Sequence, residues 1–140
     1  MKTRHIVALA VVAVAAAGFL AGCGFLGTSI DARISSFASD LNSSPANAYT
    51  NLEPDSSPYN LANGDASFWD TSFPAADGPW TATITSTQPY DGTAGVNVDM
   101  VPTKASATTK HCVFFLVDTG SLFEDYYISD IQINGTTIFL

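Results

Sequence analysis

The sequence is poor in basic residues and in the residues that build metal sites and disulfides. It has 5 Lys and Arg in 140 residues against 13 Asp and Glu, with only 2 histidines and 2 cysteines. Such an acidic chain repels phosphate backbones, which argues against nucleic-acid binding. It also lacks the basic patch that peripheral docking onto anionic lipid requires. Contact with a membrane would therefore need a covalent anchor.

Motifs for common catalytic chemistry are missing as well. A single histidine, His111, follows the first five residues, and zinc usually needs several His or Cys ligands. Asp118, Glu124 and Asp125 do not reproduce the spacing of a calcium loop, and Asp99 is expected to face solvent. There is no glycine-rich phosphate loop, no nucleophile elbow and no metalloprotease motif. We predict no catalytic residue, no metal site and no cofactor.

The amino terminus has the order of a secretory signal peptide. Lys2 and Arg4 precede an uninterrupted run of apolar and small residues, Ile6 to Ala21, and Leu20-Ala21-Gly22-Cys23 ends that run. The run is shorter than the roughly 20 residues that cross a bilayer core, so a permanent membrane-spanning helix is the weaker interpretation. A plain signal peptide is the other alternative, and it leaves Cys23 without a role.

Leu20-Ala21-Gly22-Cys23 resembles the lipobox of bacterial lipoproteins. The resemblance implies diacylglycerol on the Cys23 sulfur, cleavage between Gly22 and Cys23, and acyl chains such as palmitate that hold the protein on a membrane. It further implies export to the cell envelope. Gly24 stands where an Asp would signal retention in the inner membrane, which favours the outer membrane where one exists. We expect a signal peptide over 1–22, a lipidated tether over 23–29 and one domain over 30–140.

The mature chain would keep a single free cysteine. Its basic residues are Arg33, Lys104 and Lys110 against 13 acidic ones, a net charge of −10 with neutral His111. With the Cys23 sulfur joined to diacylglycerol by a thioether, Cys112 has no intrachain partner, so no disulfide is expected. Cys112 begins an apolar stretch typical of a strand, which predicts a buried thiol. A reactive thiol activated by His111 is the alternative, although neighbours on a strand point to opposite faces.

The first half of the domain has helical patterns. Apolar residues at spacings of four, three and four predict a helix with Thr28 or Ser29 as its cap; they are Ile30, Ile34, Phe37 and Leu41. Short helices are predicted within Asn47–Leu52 and Asp65–Phe73, and the prolines between Glu53 and Pro58 predict irregular backbone.

After Gly78-Pro79 the period changes to two. Strands are predicted at Trp80–Thr87, Gly95–Val101, Lys110–Val117 and Tyr126–Ile133, with a turn at Pro89–Gly92, a polar loop at Thr103–Thr109, a hairpin at Asp118–Ser121 and a possible extension of the last strand at Thr136–Leu140.

Helices followed by antiparallel strands predict an α+β fold, with N-terminal helices packed on a curved sheet of about four strands. Phe114-Phe115-Leu116-Val117-Asp118 followed by Tyr127-Ile128-Ser129-Asp130-Ile131 is similar to the closing hairpin of the nuclear transport factor 2-like (ketosteroid isomerase-like, cystatin-like) superfamily. That resemblance implies a cone-like sheet with a ligand pocket at its mouth. A plain α+β sandwich and a lipocalin-like barrel stay open.

Five aromatic residues are candidates for lining such a pocket; they are Trp69, Phe73, Trp80, Tyr126 and Tyr127. For Phe68, Trp69 and Phe73 core packing is favoured, because a domain of this size needs such residues to bury its helices. We expect a non-enzymatic, lipid-anchored envelope domain whose concave face binds a small apolar ligand or an envelope protein. The alternatives are a cone-fold isomerase or dehydratase, and a structural or immune-facing surface lipoprotein.

Overall fold

The computed structural model describes residues 27–90, 93–120 and 122–140. The signal peptide and lipobox, including Gly22 and Cys23, lie outside the described residues, as do two residues of the predicted turn at Pro89–Gly92 and one of the predicted hairpin at Asp118–Ser121. Helices come first: α1 (Ile30–Ser43), a 3₁₀ helix (Pro45–Asn51), α2 (Ser57–Ala62), and 3₁₀ helices Ala66–Thr71 and Ala75–Asp77. Five strands follow.

Helix α1 forms where the apolar spacing predicts it. Ile34, Phe37 and Leu41 are buried on one face, and the Ser29 side chain accepts a hydrogen bond from the Ala32 N–H at 3.3 Å. Of the two predicted caps, Ser29 is therefore the one used. Arg33 shares the buried face, which the sequence pattern did not predict.

Two of the four short helices were predicted, and both of these are 3₁₀ helices. They are Pro45–Asn51 and Ala66–Thr71, the second capped by the Asp65 side chain. The prediction of irregular backbone is confirmed for 53–56 but wrong for Ser57 and Pro58, because α2 begins at Ser57. Ser56 caps α2 through the Tyr59 N–H, and proline fits the first turn of a helix, where its missing N–H is not needed.

The strands form one open antiparallel sheet in the order β1-β2-β3-β4-β5. Their bounds are β1 Trp80–Tyr90, β2 Thr93–Pro102, β3 Lys110–Asp118, β4 Tyr126–Ile133 and β5 Thr136–Thr137. The α+β class is confirmed. The sheet has five strands instead of about four because Thr136–Thr137 turns back at Asn134-Gly135 and pairs with β4. Since the sheet is open, the barrel alternative is wrong.

The core lies between α1, the short helices and one face of the sheet. Inward side chains of β2, β3 and β4 such as Val98, Phe114 and Ile131 are at most 1% exposed, and they meet Phe37 and Trp69 from the helical side. On the other side of the sheet, alternate positions of β1 carry the exposed threonines Thr81, Thr83 and Thr85. The inner face of the sheet is thus filled by the domain's own side chains.

Both edges of the sheet carry contacts from distant segments. The Asn42 side chain accepts a hydrogen bond from the Trp80 N–H at 2.7 Å and donates one to the Trp80 carbonyl at 2.8 Å. Toward the far edge, the Tyr126 N–H of β4 donates to the Thr28 carbonyl. The Ile128 and Ile131 carbonyls of β4 accept from the main-chain N–H groups of Glu53 and Ile138. These contacts fasten the beginning of the domain, its middle and its end to the sheet. In the described part of the chain, no helix is both long and apolar enough to cross a membrane.

Candidate functional site

A groove of about 580 Å³ lies beside the last residues of the chain. One wall is the 3₁₀ helix Ala66–Thr71, and the other walls come from the start of β3 and from the segment after β4. The lining consists of Ser67, Phe68, Thr71, Ser72, Lys110, Ile133, Thr136, Thr137, Ile138 and Leu140. Its volume lies within the roughly 300–1,000 Å³ of small-molecule sites.

The groove combines an apolar wall with one cation. Phe68 stacks on Phe139, with ring centroids 5.7 Å apart, and contacts Trp69 edge-on at 5.0 Å, so the apolar wall is held in place from behind. Lys110 makes no ion pair with any residue of the described ranges, whereas Arg33 and Lys104 each have an acidic partner.

Hydroxyl groups supply the remaining polarity of the groove. Ser67 donates to Asp65 at 2.7 Å and Thr137 donates to Asp130 at 2.5 Å, so these two are occupied. Thr71, Ser72 and Thr136 contribute hydroxyls that are not bonded to other described residues. The groove can thus offer an apolar surface, a positive charge and several hydrogen-bonding groups to one ligand.

Three of the five residues predicted to line a pocket are core residues. Trp69, Phe73 and Trp80 are 1–2% exposed. Phe37 contacts the first two edge-on, and Phe73 and Trp80 contact each other with centroids 5.7 Å apart. Trp80 also borders a smaller cavity of about 180 Å³ next to Leu41. Phe68, the sequence neighbour of Trp69, lines the groove, although the sequence favoured core packing for it.

The two indole N–H groups differ in their hydrogen bonds. Trp80 donates from Nε1 to the Pro74 carbonyl at 3.0 Å. Trp69 Nε1 is buried and has no acceptor within the described ranges. An unpaired buried donor costs about 1–3 kcal/mol, which the apolar contacts of the Trp69 ring must outweigh.

Tyr126 and Tyr127 lie at the other end of the sheet, at the start of β4. The Arg33 guanidinium lies 4.0 Å from the centre of the Tyr127 ring, and its Nε donates to the Tyr126 carbonyl at 2.5 Å. Its other end donates to Asp125 at 3.2 Å. Burial raises the pKa of Tyr126, with a further contribution from Glu124. The structure thus brings the two tyrosines together with Arg33 and separates them from the tryptophans.

Cys112 and His111 are on opposite faces of β3. The thiol is 3% exposed, and its burial raises the pKa of Cys112 to about 12, which keeps it protonated and unreactive at neutral pH. The His111 side chain is 74% exposed, and its Nδ1 lies 2.7 Å from an Asp99 carboxylate oxygen on the neighbouring strand. The His111–Asp99 pair was not predicted, because it depends on the strand register Asp99↔His111.

Among the residues whose burial is described, two polar ones lie in the interior, and both are bonded to other parts of the fold. Asn51 donates to Asp40 at 2.8 Å, and Arg33 pairs with Asp125. No group of three or more His, Cys, Asp or Glu residues that could hold a metal ion occurs within 27–90, 93–120 and 122–140.

Comparison of the chain with protein-family models, with curated proteins and with solved structures gives no match. The function of this chain is therefore inferred from its own residues and their geometry alone.

Proposed function

We propose that this chain is a bacterial lipoprotein, exported and held on the cell-envelope membrane by lipid on Cys23, whose folded part is a non-enzymatic binding domain. The observation that carries the proposal is the sequence order of two cations, an apolar run and Leu20-Ala21-Gly22-Cys23. A thiolate is a better nucleophile at neutral pH than any side-chain hydroxyl, so it suits the formation of a thioether with diacylglycerol and explains a cysteine at this position. The outer membrane is the favoured location because Gly24 follows Cys23.

A finer description of the fold belongs to this proposal. We assign the domain to the cystatin-like, nuclear transport factor 2-like cone folds. The register shifts between β1 and β2 at Ile84/Ser86 and between β3 and β4 at Phe115/Leu116 support this assignment, because bulges bend strands and increase their twist. A single long helix, α1, lying on the inner face of an antiparallel sheet also supports it.

The groove is the surface through which we propose that the domain binds a ligand. The inner face of the sheet, the site expected from the sequence, is occupied by Phe37, Trp69 and their neighbours. The groove is lined by the apolar side chain of Phe68 and by Lys110. This combination suits a small amphipathic molecule with an apolar chain and an anionic end.

Substitution of Cys23 tests the anchor. Cys23→Ser is expected to abolish incorporation of labelled palmitate and to move the protein from the membrane fraction to the soluble fraction, because a hydroxyl cannot accept the diacylglycerol. Cys112→Ser is the matched control, since it changes the other cysteine by the same single atom. It is expected to keep the label. Equal labelling of wild type and Cys23→Ser would refute the proposal.

Binding of octanoate tests the groove. We expect octanoate, added to the mature chain carrying Cys23→Ser, to shift the NMR signals of Phe68, Lys110 and Ile138 together. Lys110→Gln should weaken binding about three- to tenfold, because it removes an ion pair with the carboxylate at a partly exposed site.

The control for Lys110→Gln is Lys104→Gln. It changes the net charge of the protein equally but lies outside the groove, where it pairs with Asp77 at 3.0 Å. Neutral octanol should not discriminate between the two variants. Signal shifts scattered over the surface, or equal weakening by both variants, would show that the groove is not the binding site.

A further inference from the structure

Two large apolar side chains are exposed side by side in the loop between β3 and β4. Leu122 is 87% exposed and Phe123 is 54% exposed. Exposed apolar pairs of this kind cost solvation free energy in water and commonly mark a contact surface. Nothing in the described part of the fold covers them.

Hydrogen bonds fasten the base of the loop that carries them. One Asp118 carboxylate oxygen accepts hydrogen bonds from the main-chain N–H groups of Gly120 and Asp125, both at 2.9 Å. A Cβ on Gly120 would lie 1.7 Å from the Phe123 carbonyl oxygen, so only glycine fits there. These contacts hold both ends of the loop in place, which reduces the conformational entropy that binding through Leu122 and Phe123 would cost.

The start of the described chain is fastened to the same loop. Thr28 donates its N–H to the Asp125 side chain at 3.1 Å and accepts a hydrogen bond from the Tyr126 N–H at 2.9 Å. Gly27, with φ of 81°, passes so close to Glu124 that a Cβ would lie 2.2 Å from the Glu124 carbonyl oxygen. The point at which the chain enters the domain is thus adjacent to the exposed apolar pair.

Chain length then limits the distance to the proposed lipid anchor. Cys23 is four positions before Gly27. At no more than about 3.6 Å per residue, the lipidated cysteine lies within roughly 14 Å of Gly27. The membrane that holds the lipid is consequently within reach of Leu122 and Phe123.

We propose that Leu122 and Phe123 insert into the interface of the bilayer in which Cys23 is anchored, so that the domain stands on its β3–β4 loop. This inference rests on the proposed lipid anchor. The loop also carries Asp118, Glu124 and Asp125, of which Asp125 pairs with Arg33. Its charge disfavours anionic lipid, so the bilayer surface that fits is zwitterionic and the contact is apolar.

This orientation directs the groove away from the membrane. Val117 pairs with Tyr127 near the loop, whereas Cys112 pairs with Ile133 near the opposite end of the same two strands. Lys110 and Ile133, which line the groove, are at that opposite end. The nine residues of β3 are joined by about eight steps of roughly 3.3 Å, which separate its two ends by about 26 Å.

Two tryptophan variants of the full-length, lipidated protein test the orientation. Leu122→Trp places the probe in the loop, and Leu140→Trp makes the same change at a position 95% exposed beside the groove. Each protein is reconstituted into phosphatidylcholine vesicles with and without brominated acyl chains, which quench tryptophan emission. The native Trp69 and Trp80 are buried in the core and give a constant background.

We expect the added emission of Leu122→Trp to be blue-shifted and quenched, and that of Leu140→Trp to be neither. Phe123→Asp in the Leu122→Trp background should restore the emission, since the charge opposes insertion. Equal quenching of the two single variants, whether strong or weak, would overturn the inference.

The mass of the intact protein separates this outcome from failure of the anchor. If the protein carries lipid and Leu122→Trp is not quenched, the loop contact is wrong and the anchor stands. If it carries no lipid, both proposals fall.

Discussion

Replacing Phe37 by alanine is expected to lower the free energy of unfolding by about 3–5 kcal/mol, the usual cost of deleting a buried aromatic ring. Phe37 is 0% exposed and makes edge-on contacts with Trp69, Phe73 and Phe114, at centroid distances of 5.2, 6.2 and 5.6 Å. Through this ring, α1 contacts both the 3₁₀ helix Ala66–Thr71 and strand β3 of the sheet. Urea denaturation of the mature chain carrying Cys23→Ser measures the loss.

Phe123→Ala is the matched control for this variant. It removes the same atoms from a side chain that is 54% exposed, so it should change stability by less than about 1 kcal/mol in the absence of membrane. The denaturation slope should stay the same in both variants if the native and unfolded states keep their exposed areas. A similar loss in Phe37→Ala and Phe123→Ala would contradict the described core.

Substitution of Arg33 by methionine should destabilise the domain by about 2–4 kcal/mol. Its guanidinium bonds to the Tyr126 carbonyl and the Asp125 carboxylate and lies over the Tyr127 ring. Methionine keeps much of the apolar stem but leaves these partners unsatisfied in a site where Arg33 is only 9% exposed. Asp125 is 32% exposed, and water therefore reduces the penalty on its side.

Two further variants separate geometry from charge in this contact. Arg33→Lys keeps the charge but lacks the planar fork that reaches both partners, so it should recover only part of the loss. Lys104→Met breaks the exposed Lys104–Asp77 pair and should cost less than about 1 kcal/mol. Full stability of Arg33→Met in urea would show that the contact does not hold α1 to the β3–β4 loop.

The parts of the fold that were predicted correctly are those specified by local periodicity. Ile34, Phe37 and Leu41 identify the buried face of α1, and the alternation from Trp80 onward identifies β1. Helix α2 was missed because Pro58 was interpreted as a breaker. The same residue is favourable in a first helical turn when Ser56 supplies the cap.

The site could not be predicted in the same way because it depends on contacts between distant segments. Phe68 and Lys110 lie on one groove only after the 3₁₀ helix and β3 are packed on the same core. Trp69 and Phe68 are neighbours in sequence, and nothing local distinguishes the buried one from the one that lines the groove. Likewise, Arg33 on an apolar face is explained only by Asp125, 92 positions later.

The side chain of Asn42 has a consequence for strand register. An amide carries the same donor and acceptor as a peptide unit, so Asn42 replaces one residue of a neighbouring strand at Trp80. A slip of β1 by one residue would turn its threonines inward and its tryptophan outward, since side chains alternate between faces. By bonding to both main-chain groups of Trp80, Asn42 selects the alignment in which the indole enters the core. Asn42 does so from the last turn of α1, 38 positions before Trp80 in the sequence.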